Sequence, residues 1–394
     1  MTDTTALPGL FPMEDDDAPE TNIVRLRNTG ILPSQEISAL IEEGGIAAHP
    51  STPIDENQLQ PASLDLRLGA RAYRIPASFL PGSANVMDKI RQLDGIAMDL
   101  CSPDGVVMEK GAVYVVELIE RLGLTSGTEG TANPKSSTGR LDVLTRLITD
   151  RAAAFDRIER NYHGPLYIEI APLTFSILVR RGSRLNQVRF HRGQPILDKT
   201  KAQQFYEAGQ LVGTADRLPL RGALVPVSVD LEGGDGGIVG YKAKKSTNII
   251  DLNRVGHYRP AEFWEKIEAT DGRLNLDPNE FYILATREDV GVPPHLAAEM
   301  VPYDTNAGEF RVHYAGFFDP GFGWRNGKAE GSKAVLEIRS HGIPFTLEHG
   351  QVVGWLRYSQ LAVGKPDRLY GEDISSNYQG QRLALAKHFR PWTE

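Results

Sequence analysis

The 394-residue sequence has little of three things: cysteine, net positive charge and long apolar runs. Cys101 is the single cysteine, so the chain can form neither an internal disulfide nor a site that needs two thiolates, and we expect it in a reducing cytoplasm. The formal net charge of -8 provides no global field for a nucleic-acid backbone. Neither a signal-peptide pattern nor a run of about 18 apolar residues occurs, so we expect no membrane partner.

The remaining composition is that of a globular protein. Hydrophobic residues make up 41% and charged residues 24% of the chain, and this length predicts two domains. Residues 1–24 are acidic and without periodicity, which predicts a disordered acidic tail.

Two segments of the chain repeat each other. Residues 61–66, Pro-Ala-Ser-Leu-Asp-Leu, recur at residues 226–231 as Pro-Val-Ser-Val-Asp-Leu, 165 positions later. Further on the offset becomes 168, where Tyr114 corresponds to Tyr282 and Glu169 to Glu337. Ordered matches of this kind predict a duplicated domain, with copy one at residues 25–190 and copy two at residues 191–394.

Short β-branched runs separated by Gly, Pro and Asn dominate both copies. This pattern predicts a mainly β protein with many short strands in a sandwich or closed barrel. Helix is predicted only at the openings of the copies, residues 35–43 and 199–208, and at residues 260–267.

The most specific segment is residues 134–140, Pro-Lys-Ser-Ser-Thr-Gly-Arg. If a short helix starts there, its free N–H groups and hydroxyls suit a phosphate, and Ser136 shares a helical face with Arg140. An ordinary polar loop is the alternative.

Carboxylates supply the second group of candidates. Glu169 and Glu337 lie at the same register of apolar strand patterns, although an exposed strand carboxylate is the alternative for each. Residues 319–324, Asp-Pro-Gly-Phe-Gly-Trp, predict a turn whose Asp319 can accept a hydrogen bond from a sugar hydroxyl, or an ordinary tight turn. Copy one lacks this turn, and copy two lacks the Ser-Ser-x-x-Arg element. Each copy has therefore kept what the other lost.

Together these motifs, in this order over residues 30–385, resemble the dCTP deaminase branch of the dUTPase-like superfamily, in the long two-copy form found in some bacteria. The tail at residues 377–381, Asn-Tyr-Gln-Gly-Gln, is similar to the family's Lys-Tyr-x-x-Gln, with Asn377 in place of the lysine. The resemblance implies two tandem dUTPase-like distorted β-barrel domains of jelly-roll-like form, with a few short helices and a C-terminal tail that closes over the nucleotide. It also implies self-association into a homo-oligomer, because such barrels place their sites between neighbours.

The resemblance further implies a reaction, the hydrolytic deamination of dCTP to dUTP and ammonia, and a set of site residues. The catalytic group would be Glu337, Glu169, Arg140 and Ser136. The substrate contacts would be Ser137, Lys135, Asp319, Gly321, Tyr370 and Gln381. Mg²⁺ would arrive with the triphosphate, and the protein itself would hold no cofactor.

A carboxylate mechanism without a protein-bound metal is consistent with the composition. Zinc deaminases need a Cys pair to hold the metal, and Cys101 stands alone. A Glu of raised pKa can instead activate water and return the protons. Because each copy lacks a different half, we hypothesise a composite site that joins residues 134–140 of copy one to Asp319 and Glu337 of copy two. The sequence leaves open which Glu is the base.

Two other functions stay open at this stage. The same barrel could act as a dUTP diphosphatase, or as a bifunctional enzyme that forms dUMP. Alternatively, the chain could be a non-catalytic nucleotide-binding protein whose two copies have both degenerated.

Overall fold

A computed structural model describes residues 29–213, 218–233, 237–268, 271–301, 316–340, 342–371 and 379–392, and the backbone of residues 310–313. The predicted acidic tail at residues 1–24, the copy-two segment 304–308 and Asn377 lie outside these ranges. None of the helices found in them has the length and apolar character needed to cross a membrane.

Helices are few and short. The α-helices are α1 (Ser34–Glu42), α2 (Val86–Gln92), α3 (Ser136–Gly139) and α4 (Lys199–Glu207), and two 3-10 helices lie at Glu56–Gln58 and Pro260–Glu262. The predictions for the two opening helices are confirmed to within one residue at each end, and α1 and α4 begin 165 positions apart. Asp198 caps α4 by accepting a hydrogen bond from the Lys201 N–H at 2.9 Å. The helix α2 was not predicted.

Strands dominate the chain, as predicted. In the first half they are β1 (Gly30–Ile31), β2 (Ile46–Ala47), β3 (Leu64–Leu66), β4 (Leu68–Ile75), β5 (Ile96–Asp99), β6 (Val106–Met108), β7 (Val113–Gly123), β8 (Thr128–Pro134), β9 (Val143–Thr149), β10 (Arg157–Ile158), β11 (His163–Pro172), β12 (Ile177–Val179) and β13 (Asn186–Arg192). One sheet has the order β5-β4-β7-β11-β9, with β2 also on β7. Another has the order β1-β13-β8-β10, with β3 also on β13.

The second half repeats this plan. Its strands are β14 (Val212–Gly213), β15 (Val225–Ser228), β16 (Ile238–Ala243), β17 (Ile250–Asp251), β18 (Trp264–Glu268), β19 (Arg273–Leu276), β20 (Phe281–Val290), β21 (Leu296–Val301), β22 (Phe310–His313), β23 (Phe317–Phe318), β24 (Trp324–Arg325), β25 (Lys328–Ala329), β26 (Lys333–Ser340), β27 (Phe345–Glu348) and β28 (Val352–Gln360). The sheet β18-β16-β20-β26-β22, with β14 on β20, matches β5-β4-β7-β11-β9, with β2 on β7. The sheet β15-β28-β21-β23 likewise matches β3-β13-β8-β10.

The repeat extends to single hydrogen bonds. The Tyr114 hydroxyl accepts from the Glu109 N–H at 2.9 Å, and the Tyr282 hydroxyl accepts from the Asp277 N–H at 2.9 Å. Both pairs keep the 168-residue offset, so the offset read from the sequence is also the structural one.

The helix predicted at residues 260–267 is wrong. Pro260 opens only a 3-10 turn, and the chain then extends as β18, which pairs with β16 through Trp264 opposite Ala243 and Glu265 opposite Lys242. The Trp264 ring is buried and lies 5.3 Å from the Phe175 ring, centroid to centroid. Sheet pairing and burial of this ring therefore override the local helical pattern.

The two halves share a core, which holds them in a fixed relation. The larger buried cluster combines first-half residues such as Phe175 and Leu147 with Phe263, Trp264 and Phe389 of the second half. In addition, β12 pairs in parallel with β17, with Ile177 opposite Ile250. Such a shared apolar core lets side chains of the two halves meet at defined positions.

Candidate functional site

The segment that the sequence singled out forms a single helical turn at the interface between the halves. Lys135 is extended and precedes α3, whose turn is closed by hydrogen bonds from the Gly139 N–H to the Lys135 carbonyl at 3.0 Å and from the Arg140 N–H to the Ser136 carbonyl at 3.1 Å. Ser137 and Arg140 are buried, and Ser136 is half-buried. The predicted short helix is therefore present.

Glu337 of the second half packs directly on this turn. A Cβ atom built on Gly139 would lie 3.2 Å from both carboxylate oxygens of Glu337. Only the absence of a side chain at Gly139 allows so close an approach without displacing the carboxylate. The structure thus brings together the two parts of the predicted composite site, while the catalytic roles of these residues stay predictions.

The Glu337 side chain is buried beside the α3 turn. No hydrogen bond or ion pair joins it to any side chain that the structure describes. Burial raises its pKa from 4.5 to about 8, the charge of Arg140 opposes this rise, and the charge of Asp142 adds to it. A carboxyl group with a pKa in this range can exchange protons with water near neutral pH.

The C-terminal segment covers the other side of α3. Arg140 donates from Nη2 to Gln381 Oε1 at 2.8 Å and from Nη1 to the Ala384 carbonyl at 3.2 Å. Gln381 in turn donates from Nε2 to the carbonyl of Lys333 on β26 at 3.1 Å. Gln381 therefore links the arginine of the first half to the strand that carries Glu337.

The Asp-Pro-Gly turn lies beside Tyr370. The Tyr370 N–H donates to the Pro320 carbonyl at 3.0 Å. Gly321 has a φ of 96°, and a Cβ atom there would come within 3.0 Å of the Tyr370 carbonyl oxygen. Both its conformation and its close contact with residue 370 therefore favour glycine at this position.

Asp319 has a partner that the sequence did not indicate. Its Oδ1 lies 3.1 Å from Nη2 of Arg189, which is on β13 of the first half. Burial raises the pKa of Asp319, and the charge of Arg189 opposes the rise. The charge of Lys135, which precedes α3 and forms an ion pair with Asp65, also opposes the rise of this pKa, and the charge of Asp65 adds to it.

Glu169 occupies the equivalent strand of the first half in different surroundings. Its side chain is only 1% exposed, and its Oε1 accepts from Arg146 Nε at 2.9 Å. The Arg146 guanidinium carbon lies 3.8 Å from the centre of the Phe155 ring. The alternative of an exposed strand carboxylate is wrong for both glutamates. Its contacts with residues that the structure describes lie within the first half, and none of these is with residues 134–140.

No metal-binding set accompanies these side chains. Over the described ranges of the chain, no group of three or more His, Cys, Asp and Glu residues is placed to hold a metal ion.

Comparisons with known proteins agree with this arrangement. The model of the N-terminal domain of 2'-deoxycytidine 5'-triphosphate deaminase matches residues 28–194, and the model of its C-terminal domain matches residues 198–389. A crystal structure of 2'-deoxycytidine 5'-triphosphate deaminase from Agrobacterium tumefaciens is 47% identical, covers 88% of this chain and 100% of its own, and superposes with a TM-score of 0.82.

Two curated relatives match a smaller part of the chain. A "dCTP deaminase, dUMP-forming" from Kocuria rhizophila is 31% identical over 34% of this chain and 70% of its own length. One of the same description from Salinispora tropica is 27% identical over 41% of this chain and 79% of its own length. The family models and the full-length structural match agree with the residues around α3 and β26: the chain belongs to the 2'-deoxycytidine 5'-triphosphate deaminase family, as a long, two-domain member.

Proposed function

We propose that this chain hydrolyses dCTP to dUTP and ammonia, with Glu337 as the group that activates water. The observation that carries the proposal is the buried Glu337 side chain, which has no hydrogen-bond or ion-pair partner among the described side chains and is held against Gly139, within the field of Arg140. A buried carboxylate without a partner is unfavourable for stability. A catalytic task accounts for its presence at this position.

In the proposed reaction, Glu337 takes a proton from a water molecule as its oxygen bonds to C4 of the cytosine. The carboxylic acid formed in this way protonates N3, and the remaining proton of the new C4 hydroxyl group then passes through the same carboxylate to the amino group. The C4–N bond then breaks and ammonia leaves. A pKa of about 8 allows Glu337 to accept and to return a proton near neutral pH.

The surrounding residues would bind the nucleotide. We assign the phosphates to Lys135, Ser136, Ser137 and Arg140, the deoxyribose to Asp319, and the closing of the site to Gly321, Tyr370 and Gln381. The hydrogen bond between Arg140 and Gln381 supports a tail that closes on the phosphate-binding turn. Mg²⁺ would come with the triphosphate. The protein's own groups would perform the chemistry.

The fold and assembly form part of the same proposal. We infer that each half is a dUTPase-like distorted barrel, and the strand order that recurs in the two halves supports this. We also infer that chains associate into a homo-oligomer, in which barrels of neighbouring chains contact each other as the two halves of one chain do.

A second candidate is the bifunctional reaction that ends in dUMP, and the names of the curated relatives favour it. It would require a second water, directed at the α-phosphate, at the same site. The match to a dCTP deaminase over the whole of that chain favours deamination alone.

One product assay separates these functions. The purified chain is incubated with dCTP and Mg²⁺ while ammonia, dUTP, dUMP and pyrophosphate are measured. We expect ammonia and dUTP in equal amounts. Equal amounts of dUMP and pyrophosphate would identify the bifunctional enzyme, and binding of dCTP without release of ammonia would identify a non-catalytic protein.

A further inference from the structure

A second contact joins the halves immediately beside Glu337. Arg339 lies two residues further along β26, so its side chain projects from the same face of the strand. Its Nη2 forms an ion pair with Asp142 and donates to Thr174 Oγ1 at 2.7 Å. Asp142 and Thr174 both belong to the first half.

Asp142 connects this contact to the α3 turn. It follows Arg140 by two residues, its carboxylate is fully buried, and its Oδ2 also accepts from Thr174 Oγ1 at 2.6 Å. Its N–H donates to the Gly139 carbonyl at 2.8 Å. The chain that leaves α3 is therefore tied to β26 through Arg339, two residues from the carboxylate that touches Gly139.

The contact is not a feature that both halves share. At the 168-residue offset, and in the same strand register, Ala171 stands in place of Arg339. The first half therefore cannot form the equivalent pair, and the Arg339–Asp142 contact lies where the second half's carboxylate meets the first half's turn.

Stability alone does not account for such a pair. A buried ion pair contributes little net stability compared with apolar residues of similar size, because both charges lose their hydration. Its directional hydrogen bonds do fix the relative position of the two segments that carry it.

We propose that Arg339 and Asp142 form a latch between the halves that positions Glu337 against Gly139 and Arg140, which makes both of them positioning residues for the reaction. This inference rests on the proposed function. Among the described side chains, the charges of Arg140 and Asp142 act on Glu337, and those of Arg339 and Lys110 act on Asp142. On the neighbouring strand β22, His313 stands opposite Glu337 and Arg311 opposite Arg339 in the backbone register.

The first test separates positioning from general destabilisation. In Arg339→Met we expect kcat to fall about 10- to 100-fold, as for a displaced catalytic group, with KM for dCTP changed less than about threefold. Arg339→Lys should recover part of kcat. The matched control is Arg67→Met, which breaks the buried pair of Arg67 with Glu120, 2.7 Å apart and within the first half. The control should lose stability and keep kcat.

The second test uses pH. Asp142→Asn removes a negative charge that faces Glu337 and leaves the positive charge of Arg339 uncompensated, and both changes stabilise the ionised carboxylate. The acid limb of the kcat/KM profile should therefore move to lower pH by about 1 unit. Arg67→Met should leave the limb in place.

A third measurement needs no substrate. The pH dependence of unfolding stability is compared between Asp142→Asn and the double variant Asp142→Asn/Glu337→Gln. The difference between these two variants reports the ionisation of Glu337 when residue 142 is Asn. Its pH midpoint should lie about 1 unit below the midpoint of the difference between the wild type and Glu337→Gln.

These measurements distinguish failure of the proposed function from failure of the proposed latch. If the wild-type chain releases no ammonia from dCTP, the proposed function fails, and the stability measurement still tests the latch. If the chain is active, but Arg339→Met keeps kcat and Asp142→Asn moves neither midpoint, the latch is overturned.

Discussion

The two halves each carry a glutamate at the same register of the equivalent central strand, but the side chains that surround the two glutamates differ. In the first half, the residue opposite Glu169 on β9 is Arg146, which binds its carboxylate. In the second half, the residue opposite Glu337 on β22 is His313, and Glu337 faces the α3 turn of the other half. Common ancestry accounts for the position of both residues, but only the neighbours of each decide what it can do.

The physical difference is one of partners rather than burial. Both side chains are buried, at 1% exposure for Glu169 and 7% for Glu337. Arg146 occupies Oε1 of Glu169, so a water molecule cannot use this oxygen without breaking the pair, while the buried Oε2 has no hydrogen-bond partner among the described residues. The Glu337 carboxylate has no such partner among the described side chains and can therefore serve as a base.

The largest expected effect comes from replacing each glutamate in turn. Glu337→Gln should lower kcat for dCTP about 10²- to 10⁴-fold, the usual loss when a general base is removed. Glu169→Gln should keep kcat within about threefold at a temperature where the variant is folded, because its contacts lie apart from the α3 turn. Ammonia release at saturating dCTP measures both. Loss of activity in Glu169→Gln alone would reverse the assignment.

The same two variants should change stability in opposite directions. Glu169→Gln leaves the Arg146 charge without its carboxylate, which should cost about 3 kcal/mol in the free energy of unfolding. The pKa of Glu337 is higher in the folded chain, about 8 against 4.5, so the folded state binds more protons between these values and the stability of the wild type falls as pH rises through this window.

Glu337→Gln lacks this titration. It should therefore exceed the wild type by about 1 kcal/mol or more at pH 8, with the difference shrinking toward pH 5. Denaturant unfolding at the two pH values measures this. A wild-type stability that is flat between them, relative to the variant, would show that Glu337 is not a buried group of raised pKa.

The smallest expected effect tests the contact between the halves. Gly139→Ala places a methyl group 3.2 Å from the Glu337 carboxylate, so one of the two must move by a few tenths of an ångström. We expect kcat to fall about 10-fold with little change in stability. Gly342→Ala is the matched control, because a Cβ atom there meets nothing within 4 Å. Equal activity of the two variants would mean that Glu337 does not act at this contact.

Several features could be predicted because they depend on local sequence. The 165-residue offset predicted both opening helices, and the 168-residue offset predicted the common position of Glu169 and Glu337. The serines and Arg140 of the α3 segment gave a helical turn because consecutive residues determine it. In contrast, the helix predicted at residues 260–267 is wrong, because the pairing of β18 with β16 and the packing of Trp264 depend on residues that are distant in the chain.

The partners of the site residues could not be predicted for the same reason. Arg189 beside Asp319 and Arg146 beside Glu169 are separated from them by 130 and 23 positions, and no local pattern indicates either contact. Arg339 and Asp142 each follow a predicted site residue by two positions, which becomes informative only once β26 is known to contact the segment between α3 and β9.

The sequence by itself determined the duplication, the mainly β character and the list of residues able to handle a nucleotide, because propensity, periodicity and motif order are properties of the chain. The tertiary structure alone decided which glutamate pairs with an arginine and which has no such partner among the described side chains, and that the turn of one half meets the carboxylate of the other. These are outcomes of packing two related halves around a shared core, where the few ångströms that separate a salt bridge from an unpartnered carboxylate are fixed by residues far apart in the chain.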